Sequence, residues 1–235
     1  RRIRAGKFNA RHVFQLHLQT VRQVQRHHQR FDVVEPVRTP PEHAEREVDF
    51  GWGVNCHAPQ KMTATPSTAK EKIIVAIDAP DAEAAKRLID PLLGEGCLFK
   101  IGLQLFTAEG PSIVREFKKL GARIFLDLKF HDIPNTVHGA VAAAVKRNVW
   151  MVNVHAQGGS AMLRAAADAA HAAANPPLLI GVTVLTSLSQ EALNSDLRVA
   201  GTVNDHVLHL ASLCHANGLD GVVCSPHEVA AIRAT

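Results

Sequence analysis

The sequence predicts an α/β fold of the TIM (β/α)8 barrel class, with about six of the eight βα units present and an irregular N-terminal extension in front. Three observations lead there. From Lys72 onward, short β-branched runs alternate with stretches of helical period, the pattern of a parallel sheet with right-handed crossovers. Polar residues stand at the C-terminal ends of several predicted strands, namely Asp78, Lys100, Asp127, Lys129, His155 and Thr186. In a barrel those ends open onto one face, where the chemistry sits. Finally, the first strand runs into Asp78-Ala79-Pro80 rather than the Gly-rich phosphate turn expected of a doubly wound sheet.

The elements follow in order. Residues Ile73–Ile77 form a β-branched strand, and Ala82–Leu93 has helical spacing and stops at Gly94. Leu98–Ile101 is the second strand, and Ala108–Leu120 the second helix, closed by Gly121. Arg123–Leu128 is the third strand, followed by a helix from about Asn135 to Arg147. Trp150–Val154 makes the fourth strand and the Ala-rich stretch Ser160–Ala174 the fourth helix. Leu178–Val184 is the fifth strand, with helical segments running to about Asn217. Gly221–Cys224 is the sixth, after which Pro226 suits the first position of a last helix. A closed barrel needs two more units, so the first and sixth strands are expected to have open edges.

Composition narrows the function classes. With 235 residues, 46% of them hydrophobic, the chain can bury a sizeable core, and no apolar run nears the roughly 18 residues of a membrane span. Cys56, Cys97, Cys214 and Cys224 show no CxxC pairing and read as scattered reduced thiols, without a metal site, in a cytoplasmic protein. The net charge of +4 comes entirely from residues 1–61, which hold 11 Lys/Arg against 6 Asp/Glu; the remainder holds 15 against 16. A nearly neutral body offers no nucleic-acid face.

Residues 1–61 are basic and His-rich, as in Gln25-Arg26-His27-His28-Gln29-Arg30, and lack sustained periodicity. Met62 opens Met62-Thr63-Ala64-Thr65-Pro66-Ser67 just ahead of the first good strand, as a natural start does. Residues 62–235 are therefore expected to be the barrel domain, and residues 1–61 to be non-native sequence, a disordered tail or an arm that binds RNA.

The most informative stretch runs from Ile124 to Thr136. Alternate residues of a strand share a face, so Ile124, Leu126 and Leu128 point to the covering helices. Phe125, Asp127 and Lys129 point into the barrel. Charges at the mouth of a buried strand are costly unless they neutralise one another. An internal ion pair that closes the barrel top would satisfy that demand. Asp78 and Lys100, however, bring a second acid and base to the same rim, and alternating acid and base suits a site that holds charge in place for chemistry.

These residues resemble the bacterial orotidine 5′-phosphate decarboxylase family. The resemblance lies in Val75-Ala76-Ile77-Asp78, Phe99-Lys100-Ile101-Gly102 and, above all, Asp127-Leu128-Lys129-Phe130-His131-Asp132-Ile133-Pro134-Asn135-Thr136. Val152-Asn153-Val154-His155-Ala156 and Val182-Thr183-Val184-Leu185-Thr186-Ser187 fall at matching strand ends, and the likeness spans about residue 71 to the end. Asp-x-Lys-x-x-Asp alone is shared with sugar-phosphate enzymes of the same superfamily; the continuation His131–Thr136 is more specific.

The resemblance implies a lyase (a carboxy-lyase) of de novo pyrimidine biosynthesis that converts orotidine 5′-monophosphate to uridine 5′-monophosphate without metal or cofactor. In that reading Lys129 stabilises the C6 carbanion and protonates it, and Asp127 lies beside the departing carboxylate and holds Lys129. Asp132, the third catalytic candidate, and Thr136 reach into the neighbouring site of a homodimer. Asp78 and Lys100 bind ribose hydroxyls, and Thr186 contacts the pyrimidine edge. His155 and His131 are expected to serve as structural hydrogen-bonding groups. The implied partners are the small-molecule substrate and a second copy of the chain, with no nucleic acid and no membrane. The family holds the substrate phosphate after strands seven and eight, so a chain of six units is expected to be weakly active or inactive by itself. The competing expectations are a Mg²⁺-dependent sugar-phosphate synthase or decarboxylase, and a non-enzymatic fragment that binds RNA through residues 1–61.

Overall fold

A computed structural model describes residues 72–234 together with the backbone of residues 14–15 and 33–36. Two short strands come first, β1 (Phe14–Gln15) and β2 (Val33–Pro36). The βα series follows with β3 (Ile74–Ile77), α1 (Ala82–Ile89), β4 (Leu98–Gly102), α2 (Leu103–Glu109), α3 (Ser112–Lys119), β5 (Arg123–Phe130) and α4 (Pro134–Val145). It continues with β6 (Met151–His155), α5 (Gly159–His171), β7 (Leu178–Val182), α6 (Gln190–Ser195), α7 (Val203–Ala216), β8 (Gly221–Cys224) and α8 (Val229–Ala234).

All six expected parallel strands form, in the spatial order β8-β7-β6-β5-β4-β3. Each is joined to the next by helix, as the alternation of periods predicts. The series does not close on itself, because β3 stands at one end of the sheet. The opposite edge differs from expectation. There β2 pairs antiparallel with β8, Val33 against Cys224 through Pro36 against Gly221, and β1 pairs with β2. Backbone groups that β7 leaves unpaired on β8 thereby gain partners, which removes one exposed edge. Among the described residues, no helix is long and apolar enough to cross a membrane.

Element boundaries shift where backbone chemistry overrides periodicity. Asp81 caps α1 by accepting the Ala84 N–H at 2.8 Å. The helix ends at Ile89, four residues earlier than its spacing suggests, and passes into a 3-10 turn containing Pro91, whose missing N–H cannot continue an α-helix. The single helix expected over Ala108–Leu120 is two. Gly110 adopts φ +65° and Pro111 follows, so α2, which begins directly after β4, ends at Glu109 and α3 restarts at Ser112. Pro226 does not open the last helix; Glu228 accepts the Ser225 N–H at 2.8 Å, and α8 starts at Val229. In α7 the reciprocal bonds of Thr202 and Asp205 form a capping box.

Two apolar layers hold the sheet. The larger lies between strands and helices and includes Ile101, Ile113, Phe117, Ile124, Leu126, Val141, Leu163 and Leu210. The smaller fills the concave side, where Ile74, Leu98, Phe125, Met151, Ile180 and Val223 converge from all six parallel strands. Phe125 therefore points inward and Ile124 and Leu126 outward, as strand alternation requires. The inner layer forms a floor beneath the strand ends. Cys97 and Cys214 are free thiols, and burial pushes the Cys214 thiol up to about 12; Cys56 lies outside the described residues.

Candidate active site

Four charged side chains from three neighbouring strands meet above that floor. Asp78 follows β3, Lys100 lies on β4, and Asp127 and Lys129 lie on β5. Lys129 Nζ donates to Asp127 Oδ1 at 2.7 Å. Lys100 Nζ lies 3.3 Å from Asp127 Oδ2 and 3.7 Å from Asp78 Oδ1. The result is an unbroken chain of acid, base, acid and base.

Asp127 is the hub, with only 7% of its surface exposed. Burial alone would push its carboxyl group up. The charges of Lys100 and Lys129 and the hydrogen bonds from Lys129 and Asn153 together outweigh burial, so the group is held below the ordinary aspartate value. A buried carboxylate with two ammonium groups and an amide donor has its desolvation offset within the site. Exposure grades outward: the side chains of Lys129 and Asp78 are 38% and 67% exposed, so substrate can reach both ends of the chain.

The local backbone explains how Lys129 comes to lie beside Asp127. Leu126 pairs with Val152 and Phe130 with Val154, so four steps along β5 answer two along β6. That bulge carries the surplus residues, and within it Lys129 takes φ +51°. Left-handed backbone costs a non-glycine residue of order 1 kcal/mol or more and persists only where its surroundings enforce it. Asn153 does so here: its Oδ1 accepts the Lys129 backbone N–H at 2.8 Å, and its Nδ2 donates to Asp127 Oδ1 at 2.6 Å. Asn153 lies in β6 and is 1% exposed.

The structure thus brings together Asp78, Lys100, Asp127 and Lys129, and leaves the other three candidates outside the chain of charges. Asp132 and Thr136 are exposed on the exit loop and first turn of α4, where Asp132 Oδ1 accepts the Ile133 N–H at 2.7 Å. Thr186 is half-buried on the loop after β7. Asn153 was missed by sequence reasoning. Its signal was an amide inside an apolar strand, in phase with inward-facing Met151.

His155 and His131 pack with ring centroids 5.3 Å apart. His155 Nδ1 is buried without a hydrogen-bond partner, so the structural hydrogen bond expected of this residue is not made through that atom. Burial, then the charges of His131 and Lys129, hold the His155 imidazole below its ordinary value.

An acid–base chain at the C-terminal ends of barrel-type strands, over an apolar floor, defines the class: an α/β barrel protein with its chemistry at the strand ends. The model of the orotidine 5′-phosphate decarboxylase / HUMPS family matches residues 71–235, and the chain belongs to that family. Similar proteins include an orotidine 5′-phosphate decarboxylase of Moorella thermoacetica, 53% identical over 170 residues that cover 70% of this chain and 68% of the relative. One from Sodalis glossinidius is 48% identical, covering 72% of this chain and 67% of the relative. Among solved structures, an orotidine 5′-phosphate decarboxylase from Lactobacillus acidophilus superposes with a TM-score of 0.66 at 36% identity, over 69% of this chain and 75% of that one. An uncharacterized conserved protein from Geobacillus kaustophilus gives the same score at 40% identity, over 68% and 77%.

Proposed function

We propose that the chain acts, weakly by itself, as a carboxy-lyase on orotidine 5′-monophosphate, releasing CO₂ and forming uridine 5′-monophosphate in de novo pyrimidine synthesis, in the cytoplasm and without a cofactor. The observation that carries this reading is the Lys129 ammonium, held 2.7 Å from a buried carboxylate at a strained strand end.

Breaking the bond between C6 and the carboxylate leaves an electron pair on C6. In this reading the Lys129 ammonium stabilises that pair as a fixed positive charge, then gives C6 a proton and recovers one from solvent. Asp127 holds Lys129 and faces the departing carboxylate. Asp78 and Lys100 take the ribose hydroxyls, and Thr186 the pyrimidine edge. Exposed Asp132 and Thr136 suit a role across a homodimer interface, each completing the site of the second copy.

The test is turnover of orotidine 5′-monophosphate, followed by loss of its ultraviolet absorbance and by CO₂ release. Turnover should be unaffected by chelator and should fall roughly 10⁴-fold in Lys129→Ala, since one group supplies both charge stabilisation and the proton. Failure to bind or turn over this nucleotide, or chelator-sensitive turnover of a sugar phosphate instead, would overturn the proposal.

A further inference from the structure

We infer that Asn153 is a positioning residue, whose single side-chain amide sets the geometry of the Lys129–Asp127 pair by gripping the Lys129 backbone and the Asp127 carboxylate together. The inference rests on the decarboxylase reading for its chemical consequence, but its geometric content stands apart from it.

The two halves of the amide do different work. Oδ1 accepts the Lys129 N–H at 2.8 Å. That N–H lies in the bulge where β5 and β6 are out of step, so the side chain takes the place of a ladder bond and holds φ at +51°. Nδ2 donates to Asp127 Oδ1 at 2.6 Å, the same oxygen that accepts from Lys129 Nζ at 2.7 Å. Asp127 Oδ2 is left to face Lys100 Nζ at 3.3 Å. The carboxylate is thereby oriented with one oxygen toward each lysine. An amide is required for this, because a carboxylate has no donor for Asp127, and an ammonium has no acceptor for the Lys129 N–H.

Position reinforces the assignment. Asn153 is 1% exposed on the inward face of β6, so its amide has little freedom to turn. A buried polar group in such a strand persists when both ends are satisfied, and these two bonds satisfy them. Catalytic geometry held from a neighbouring strand in this way is rigid, and misplacement by about 1 Å costs on the order of 100-fold in rate.

The experiment compares the full chain with Asn153→Ala and Asn153→Asp. Hydrogen exchange of the Lys129 amide and the NMR titration of the Asp127 carboxyl group report on the clamp whether or not the chain turns over. In Asn153→Ala the Lys129 amide should exchange at least about tenfold faster, and the Asp127 midpoint should rise. Asn153→Asp keeps the acceptor, so the Lys129 amide should remain protected while the Asp127 midpoint still changes. A merely structural asparagine would not separate those two readouts. In turnover, Asn153→Ala should lose about 100-fold in kcat with KM within about threefold. Absence of turnover in the parent chain would count against the functional reading alone. An unchanged Lys129 amide and Asp127 midpoint in folded Asn153→Ala would overturn the clamp, as would parental kcat.

Discussion

Two histidines with opposite perturbations make the residue-scale chemistry measurable. His155 is held below its ordinary value of 6.5, chiefly by burial. As pH falls below 6.5 the unfolded chain takes up this proton before the folded one, so the stability present at higher pH is lost toward the lower folded value. His171 is raised, first by its hydrogen bond to Asp220 at 3.5 Å. Its contribution is complete below 6.5 and is lost as pH rises through the higher folded value. The windows lie on opposite sides of the unfolded value and can be separated. In thermal melts from about pH 5 to 8, His155→Leu should flatten the loss of stability on the acid side. His171→Leu should flatten the loss on the alkaline side. Parallel curves for both variants and the parent would refute this assignment.

At the scale of elements, the seating of helix on sheet depends on small residues as much as on large ones. A Cβ at Gly181 in β7 would lie 2.2 Å from Cys214 Sγ and 3.1 Å from Leu219 Cδ2. Cys214 belongs to the buried face of α7, 1% exposed, and cannot withdraw without moving that helix, while Leu219 just beyond it is 3% exposed. Gly181→Ala should therefore destabilise by about 2 kcal/mol, the range of overpacking in a filled core, read as a lowered denaturant midpoint. The break between α2 and α3 has a different cause. Gly110 and Pro111 end one helix and begin the next, and the apolar period runs across the break because Leu105, Ile113, Val114 and Phe117 all face the sheet.

For the whole molecule, the decisive fact is an arc of six parallel strands with its polar ends on one rim, where the two most exposed large apolar side chains of the described residues also lie. Leu103, directly after β4, is 63% exposed, and Ile133, directly before α4, is 67% exposed. Isolated exposed apolar residues are ordinary, but these two follow the strands that carry Lys100 and Lys129. The homodimer proposed above would place them at its interface with Asp132 and Thr136. Ile133→Asp should then shift the chain toward monomer in sedimentation velocity while its circular dichroism spectrum is retained. An unchanged sedimentation coefficient would remove this residue from any interface.

The order of strands and helices, the inward direction of Phe125, Asp127 and Lys129, and the meeting of Asp78 and Lys100 with them were legible in the sequence. Periodicity decides which way a side chain points, and a parallel βα series brings all strand ends to one rim. Residues Pro91 and Gly110-Pro111 were equally visible, but their effect was not, because an apolar stripe continues across a broken helix. What only the tertiary structure decided was the bulge of β5 against β6, the left-handed backbone of Lys129, and the clamp by Asn153. These depend on the register between two strands whose paired residues lie 24 and 26 positions apart in the chain. A periodic pattern carries no information about such a slip, since both strands keep the same apolar faces on either side of it.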